Sequence, residues 1–277
     1  MIPAAFDYVR AGSAEEAISL LGTHGEDAKL LAGGHSLLPL MKLRLASPSV
    51  LIDVGRVRDL SYIRDGGDHV AVGALTRHHD LQTSELLSSE VPLISHVAGL
   101  VGDPQVRHRG TIGGSIAHGD PASDLPAAVL ALGATLVIAG PSGTRTVGAG
   151  SFFHGFLETD LQPDELLTEI RLPKMGGAGW SYQKFNRRAQ DWAIVGVAAV
   201  GSAAGRGVAL VNMGSTPLRA AGVEAALAGG ASPTDAAAAA GDGLDPPGDL
   251  NASPAFRLHL ANVLVRRALE EVAGGGG

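Results

Sequence analysis

Two short glycine-pair segments carry the residue types best suited to holding an anionic ligand. They are Ala32-Gly33-Gly34-His35-Ser36 and Thr111-Ile112-Gly113-Gly114-Ser115. Each follows an apolar or basic run and closes on a small hydroxyl residue. Glycine admits positive φ, and without a Cβ it lets a ligand approach the main-chain N–H groups. Two such loops, brought together, would surround a diphosphate from both sides with backbone donors. That points to a dinucleotide cofactor, although neither loop has the G-x-G-x-x-G fingerprint of the doubly wound dinucleotide fold. Each loop alone also reads as an ordinary strand-to-helix turn. Arg107 and Arg109 stand just before the second loop, where they could balance phosphate charge. Asp124 follows at a helix start, where spacing alone favours a capping role.

Other chemistry is weakly supported. His78-His79-Asp80 are adjacent, but neighbours on a strand or helix point apart, a poor geometry for one ion. His108, His118 and Asp120 flank the second loop without a recognised ligand spacing, so no metal site is expected. There is no G-x-S-x-G elbow and no G-x-x-x-x-G-K-[ST] loop, which removes the common serine hydrolase and ATPase readings. Cysteine is absent from all 277 residues. That excludes disulfides, a cysteine nucleophile and a thiolate-held iron–sulfur cluster. Redox chemistry would need an organic cofactor or another chain. Trp192, after Asp191, reads as a core residue or as a flat ring able to stack on a flat cofactor.

The elements that must position these residues are legible. Ser13 with Glu16 suggests a capping box, opening a helix that ends near Gly22 and Gly25. Lys29–Ala32 reads as a strand running into the first glycine loop. Val50–Val54, His69–Ala74, Thr135–Ala139 and Glu165–Leu172 read as further strands. A helix is expected from about Pro92 to Val101, and another from Ser123-Asp124-Leu125-Pro126 to Gly133. A linker falls at Lys174–Gly179. Beyond it, Trp180–Asn186, Ala193–Ser202 and Gly207–Met213 predict a three-stranded antiparallel sheet. Ser232-Pro233 and Ser253-Pro254 each look like a helix start, the second helix reaching about Val272. The expected fold is α+β, with a first domain over residues 1–175 and a smaller second domain over 176–277.

The net charge of −7 and the absence of a long basic run argue against nucleic acid. No apolar stretch approaches the ~20 residues needed to span a bilayer. The first residues lack a signal-peptide pattern, so a cytoplasmic location is expected.

Taken in order, the motifs resemble the FAD-binding medium subunit of the molybdenum hydroxylases, the xanthine oxidase-like family. The resemblance covers the whole chain. It rests on A-G-G-H-S-L-L-P-L-M-K-L-R-L (Ala32–Leu45), R-G-T-I-G-G-S (Arg109–Ser115), D-P-A-S-D-L-P (Asp120–Pro126), E-I-R-L-P (Glu169–Pro173) and Y-Q-K-F-N-R-R (Tyr182–Arg188). Within the family it looks most like the branch of aerobic carbon monoxide dehydrogenase. The resemblance implies a vanillyl-alcohol oxidase (PCMH-type) FAD-binding domain followed by the C-terminal domain of these flavoproteins. It places the FAD diphosphate on Ala32, Gly33, Gly34, His35 and Ser36 and on Thr111, Ile112, Gly113, Gly114 and Ser115. It adds Asp124, Leu167 and Lys184 as further FAD contacts and sets Trp192 beside the isoalloxazine. A relative that reduces aromatic acyl-CoA esters carries a cluster in this subunit, which a chain without cysteine does not.

The same resemblance implies an electron-transfer flavoprotein subunit with no catalytic acid–base pair of its own. A large molybdopterin subunit would oxidise the substrate, and a small [2Fe–2S] subunit would pass electrons to FAD. A quinone or other acceptor would receive them. The implied assembly is a dimer of heterotrimers, with membrane contact only through partners. Alternatives are a medium subunit serving a xanthine-, nicotine- or quinoline-type hydroxylase, a free-standing flavin oxidase, and a cofactor-free assembly protein. Gly114→Val is expected to lose FAD if the cradle is real.

Overall fold

The computed structural model describes residues 2–202 and 205–275. Three short strands build its first layer, with β3 at its centre the most buried. β1 (Asp7–Arg10), β2 (Ala28–Leu31) and β3 (Val50–Asp53) pair in parallel in the order β1-β3-β2. Parallel neighbours need crossovers, and α1 (Ala14–His24) and α2 (Leu37–Leu43) supply them. The Ser13 hydroxyl accepts from the N–H of Glu16 at 3.1 Å. The Glu16 carboxylate reaches one residue further back than a capping box requires, accepting from the N–H of Gly12 at 2.6 Å. Gly25 ends α1 at φ 56°. Ala17 and Leu21 of α1 close over Ile52 and Val54 to form a small separate core.

The second layer is an antiparallel sheet. Its strands are β4 (Ile63–Asp65), β5 (His69–Gly73), β6 (Thr135–Gly140) and β7 (Gly143–Gly148). After a hairpin of β8 (Phe153–Gly155) and β9 (Glu158–Thr159), β10 (Leu166–Pro173) returns to the centre. The order is β4-β5-β10-β6-β7. Six short helices run between β5 and β6: α3 (His78–Thr83), α4 (Glu85–Glu90), α5 (Pro92–Gly99), α6 (Pro104–Arg107), α7 (Ile112–His118) and α8 (Asp124–Leu132). α8 is almost wholly buried and stops at Gly133, φ 65°. Its expected cap does not form: the Ser123 side chain makes no capping bond, and the Asp124 carboxylate turns away to Tyr182 and Lys184.

The C-terminal sheet has four antiparallel strands, not three. β11 (Trp180–Phe185), β12 (Val195–Ser202), β13 (Gly205–Val211) and β14 (Leu218–Arg219) pair in sequence order. β14 is only two residues long, too short for a period-2 pattern to show in the sequence. It is pinned in place by Arg219, which pairs with Glu224 at 2.8 Å and donates to the Leu130 carbonyl at 3.0 Å. Helices α9 (Ala221–Ala228), α10 (Pro233–Ala237) and α11 (Pro254–Ala273) cover one face. Ser232 and Ser253 cap α10 and α11 through their side chains, as Ser-Pro predicts.

β12 explains how the parts join. Val195, Val197 and Ala199 share a core with Leu264, Val265 and Leu269 of α11. Ala198 and Val200, on the opposite face, share a core with Leu125 and Val129 of α8. A strand buried on both sides reads as a continuous apolar run, as here. Backbone approach is close at this junction: a Cβ on Gly207 would lie 1.9 Å from the Ala131 carbonyl oxygen. Buried Arg257 of α11 donates to the carbonyls of Ile194 and Asn212 and pairs with Asp249 at 2.8 Å. It thereby anchors the end of the 186–194 loop.

Candidate functional site

The two glycine loops face each other across a cleft of about 740 Å³ between the parallel and antiparallel layers. Their contact is backbone against backbone. A Cβ on Gly33 would lie 2.4 Å from the Arg109 oxygen and 2.9 Å from Gly110 Cα. The Arg77 guanidinium donates to that same Arg109 carbonyl, and Arg77 and Thr111 form a β-bridge. Gly113 sits as close to Ala74, where a Cβ would come within 2.5 Å. Gly34 needs its φ of 79° to turn the chain into α2.

The loops differ in what they offer. Among the described residues, the N–H groups of Gly33, Gly34, His35 and Ser36 donate to no protein acceptor. In the second loop only the Thr111 N–H lacks a protein acceptor among the described residues. Ile112 N–H donates to Thr76 O at 3.1 Å, Gly113 to Ala74 O at 2.9 Å, and Gly114 to the Thr111 hydroxyl at 3.1 Å. The first loop is therefore the backbone nest. The second contributes the clearance at exposed Gly114 and the half-buried Ser115 side chain. Unpartnered N–H groups on residues that line a groove suit an anionic oxygen, so the cleft fits a diphosphate.

The remaining sequence-predicted residues divide. Ala32, Gly33, Gly34, His35, Ser36, Thr111, Gly113, Gly114, Ser115 and Leu167 all line the cleft. Leu167 does so beside a register shift in β10 between Leu167 and Glu169, and such bulges re-aim side chains. The Ile112 side chain is fully buried in the core beneath. Asp124 and Lys184 meet at 2.9 Å, nearly enclosed, where first and second domains join. The Tyr182 hydroxyl donates to Asp124 at 2.5 Å, and Lys184 also donates to the Leu100 carbonyl at 3.1 Å. Burial raises the Asp124 carboxyl above its ordinary value, against the opposing pull of Lys184 and Tyr182.

Trp192 lies apart, in a shallow depression of about 220 Å³ with Arg187, Arg188, Asp191 and Asn251. It is 56% exposed. Trp192→Ala is expected to change stability by less than about 0.5 kcal/mol, as for surface positions in general, measured by thermal unfolding. Arg107 also serves the fold, donating to the carbonyls of Val101 and Gly102.

Sequence reasoning passed over two parts of the cleft wall. One is the 157–166 segment after β8, held by Arg145 in a bidentate pair with Glu165 at 2.6–2.7 Å. The other is His78, noticed only as a poor metal ligand. It is 3% exposed, and burial, with His35, Arg77 and Arg107 nearby, pushes its pKa down to about 4. An imidazole kept neutral by the fold contributes stability that is present above the unfolded value near 6.5 and lost as pH falls through about 4. The shift corresponds to about 3 kcal/mol. Denaturant unfolding at pH 7 and pH 4 is expected to show the native chain losing about that much more than His78→Gln. Equal losses would contradict it.

With this geometry in place, family membership follows. Residues 4–175 match the FAD-binding domain in molybdopterin dehydrogenase, and residues 180–272 match the CO dehydrogenase flavoprotein C-terminal domain. The chain belongs to this family of FAD-binding molybdopterin dehydrogenase flavoproteins. More narrowly, it is a flavoprotein subunit of the carbon monoxide dehydrogenase type. It is 45% identical to the carbon monoxide dehydrogenase medium chain of Hydrogenophaga pseudoflava, over 97% of each chain. It is 38% identical to the glyceraldehyde dehydrogenase medium chain of Sulfolobus acidocaldarius, over 99% of this chain and 100% of that one. A solved carbon monoxide dehydrogenase from H. pseudoflava, lacking the Mo-pyranopterin moiety of its cofactor, superposes with a TM-score of 0.96. That match has 44% identity and covers 100% of both chains. Among the described residues, no helix is long and apolar enough to cross a membrane.

Proposed function

We propose that this chain is the electron-transfer subunit of a molybdenum hydroxylase that oxidises carbon monoxide to carbon dioxide. Oxidation with water as the oxygen source releases two electrons and two protons per carbon monoxide. FAD, when bound, supplies the redox chemistry that collects those electrons and passes them on. The chain's own residues bind and orient. The free N–H groups of Gly33 to Ser36 take up diphosphate charge, and the second loop with Ser115 closes the opposite wall. Leu167 packs against the ligand from β10, and the Asp124–Lys184 pair fixes the second domain against the first. The observation that carries this reading is the cleft between the two glycine loops, with unpaired donors on one side, inside a chain of this family.

A vanillyl-alcohol oxidase-type FAD domain over residues 1–175 is supported by the parallel and antiparallel layers on either side of the cleft. The chain has no cysteine, so clusters must lie on a partner. The partners proposed are a large molybdopterin subunit and a small [2Fe–2S] subunit, in a dimer of heterotrimers that passes electrons to a quinone or other acceptor. A second reading keeps the flavoprotein role and changes the substrate to an aldehyde or N-heterocycle. The identity shared with a glyceraldehyde dehydrogenase medium chain favours keeping it.

The test is purification of the intact complex. Bleaching of its flavin absorbance by carbon monoxide, and not by aldehydes or N-heterocycles, is the expected result. Bleaching only by the latter would select the second reading. Turnover by the isolated chain would point to a free-standing oxidase, and purified chain unable to take up FAD would remove the cofactor site.

A further inference from the structure

His78 is enclosed against the second glycine loop with one ring nitrogen unpaired. Its Nδ1 has no partner among the described residues. Its Nε2 lies 3.3 Å from the Ser115 hydroxyl oxygen, and both residues line the cleft. The ring packs on the loop. The main-chain N–H of His78 donates to the Gly110 carbonyl at 3.0 Å, and a Cβ on Gly110 would come within 2.6 Å of the ring atoms Cδ2 and Nε2. At 3% exposure, His78 is enclosed there.

Two neutral tautomers are available, and they aim the Ser115 proton differently. With the proton on Nδ1, a buried N–H is orphaned and Nε2 must accept the single proton of the Ser115 hydroxyl. With the proton on Nε2, the orphan is only a lone pair. The hydrogen bond then reverses, and the Ser115 O–H is left to donate to another acceptor. Orphaned buried N–H groups are the rarer defect.

We propose that His78 is a positioning residue: its Nε2–H holds the Ser115 oxygen, leaving the Ser115 hydroxyl to donate to an anionic oxygen between the glycine loops. The inference rests on the cleft being the FAD site and adds a residue to it. The anion it serves is the cofactor diphosphate. His78 touches none of the reacting atoms and acts through Ser115.

The tautomer can be read directly by nitrogen-15 NMR of the full chain, and the expected result is protonated Nε2 with bare Nδ1. In FAD titrations of flavin-depleted full chain, His78→Phe and Ser115→Ala should each weaken binding about ten- to a hundredfold, the range for a hydrogen bond to a charged group. The double variant should lose no more than the worse single one, since both remove one interaction. His78→Gln, whose amide can donate, should restore most of the affinity lost in His78→Phe. A protonated Nδ1, additive losses, or native affinity in His78→Phe would each overturn the role. If His78→Phe does not fold, the tautomer and the Ser115→Ala and His78→Gln titrations still decide. Native chain that takes up no FAD would instead overturn the cofactor site itself.

Discussion

Gly33→Ala is expected to reduce FAD affinity by at least about a hundredfold in a chain that still folds. The added Cβ would sit 2.4 Å from the Arg109 oxygen and 2.9 Å from Gly110 Cα, both backbone atoms that no rotamer change can move. Relief requires the first loop to withdraw from the second, and that separation sets the cleft's width and the aim of the free N–H groups. Overpacking of this kind typically costs 1–3 kcal/mol of stability, so the melting temperature should fall by roughly 3–10 °C. The loss of binding should exceed what so modest a destabilisation explains. Gly22→Ala, in α1, is the control: a Cβ there would meet nothing within 4 Å, and Gly22 does not line the cleft. Native flavin content in a folded Gly33→Ala protein would show that the contact between loops does not shape the site.

That contrast marks what the sequence could and could not say. The loops were legible as loops because glycine pairs and closing hydroxyls are local signals. Nothing local says that Gly33 packs on Arg109, or that the Ile112 and Gly113 donors are taken by Thr76 and Ala74. Thr76 and Ala74 lie 36 and 39 residues before Ile112 and Gly113, and Arg109 lies 76 after Gly33, so none of these contacts is local. Strands with a period-2 or continuous apolar run, such as β3, β6 and β12, could be read directly. β14, at two residues, has no period to read and exists because Arg219 is tied to Glu224 and Leu130. Asp124 is the instructive case among the site residues. Its place at a helix start suggests a cap, and only the second domain's return brings Tyr182 and Lys184 to its carboxylate.

The Asp124–Lys184 pair should make stability respond to pH in a way that identifies it. Both side chains are nearly enclosed, at 7% and 8% exposure, so neither charge can fall back on water. Removing one partner of a buried pair costs about 3–5 kcal/mol, because the other charge stays desolvated. Lys184→Met is therefore expected to lower the melting temperature at pH 7 by roughly 10 °C. Burial already raises the Asp124 carboxyl, and without Lys184 nothing but Tyr182 opposes that rise. A carboxyl with a raised folded pKa adds stability that is complete below its unfolded value near 4 and lost as pH rises through the folded value. The variant's deficit should thus be smallest in acid and grow toward neutrality, opposite in sign to the acid loss expected from His78. Asp124→Asn combined with Lys184→Met removes both charges and should recover much of the loss at pH 7. Thermal unfolding by circular dichroism from pH 4 to pH 8 would read all three curves. A Lys184→Met deficit that stays flat across this range would mean that the lysine stem packs the junction and its charge does not hold the domains together.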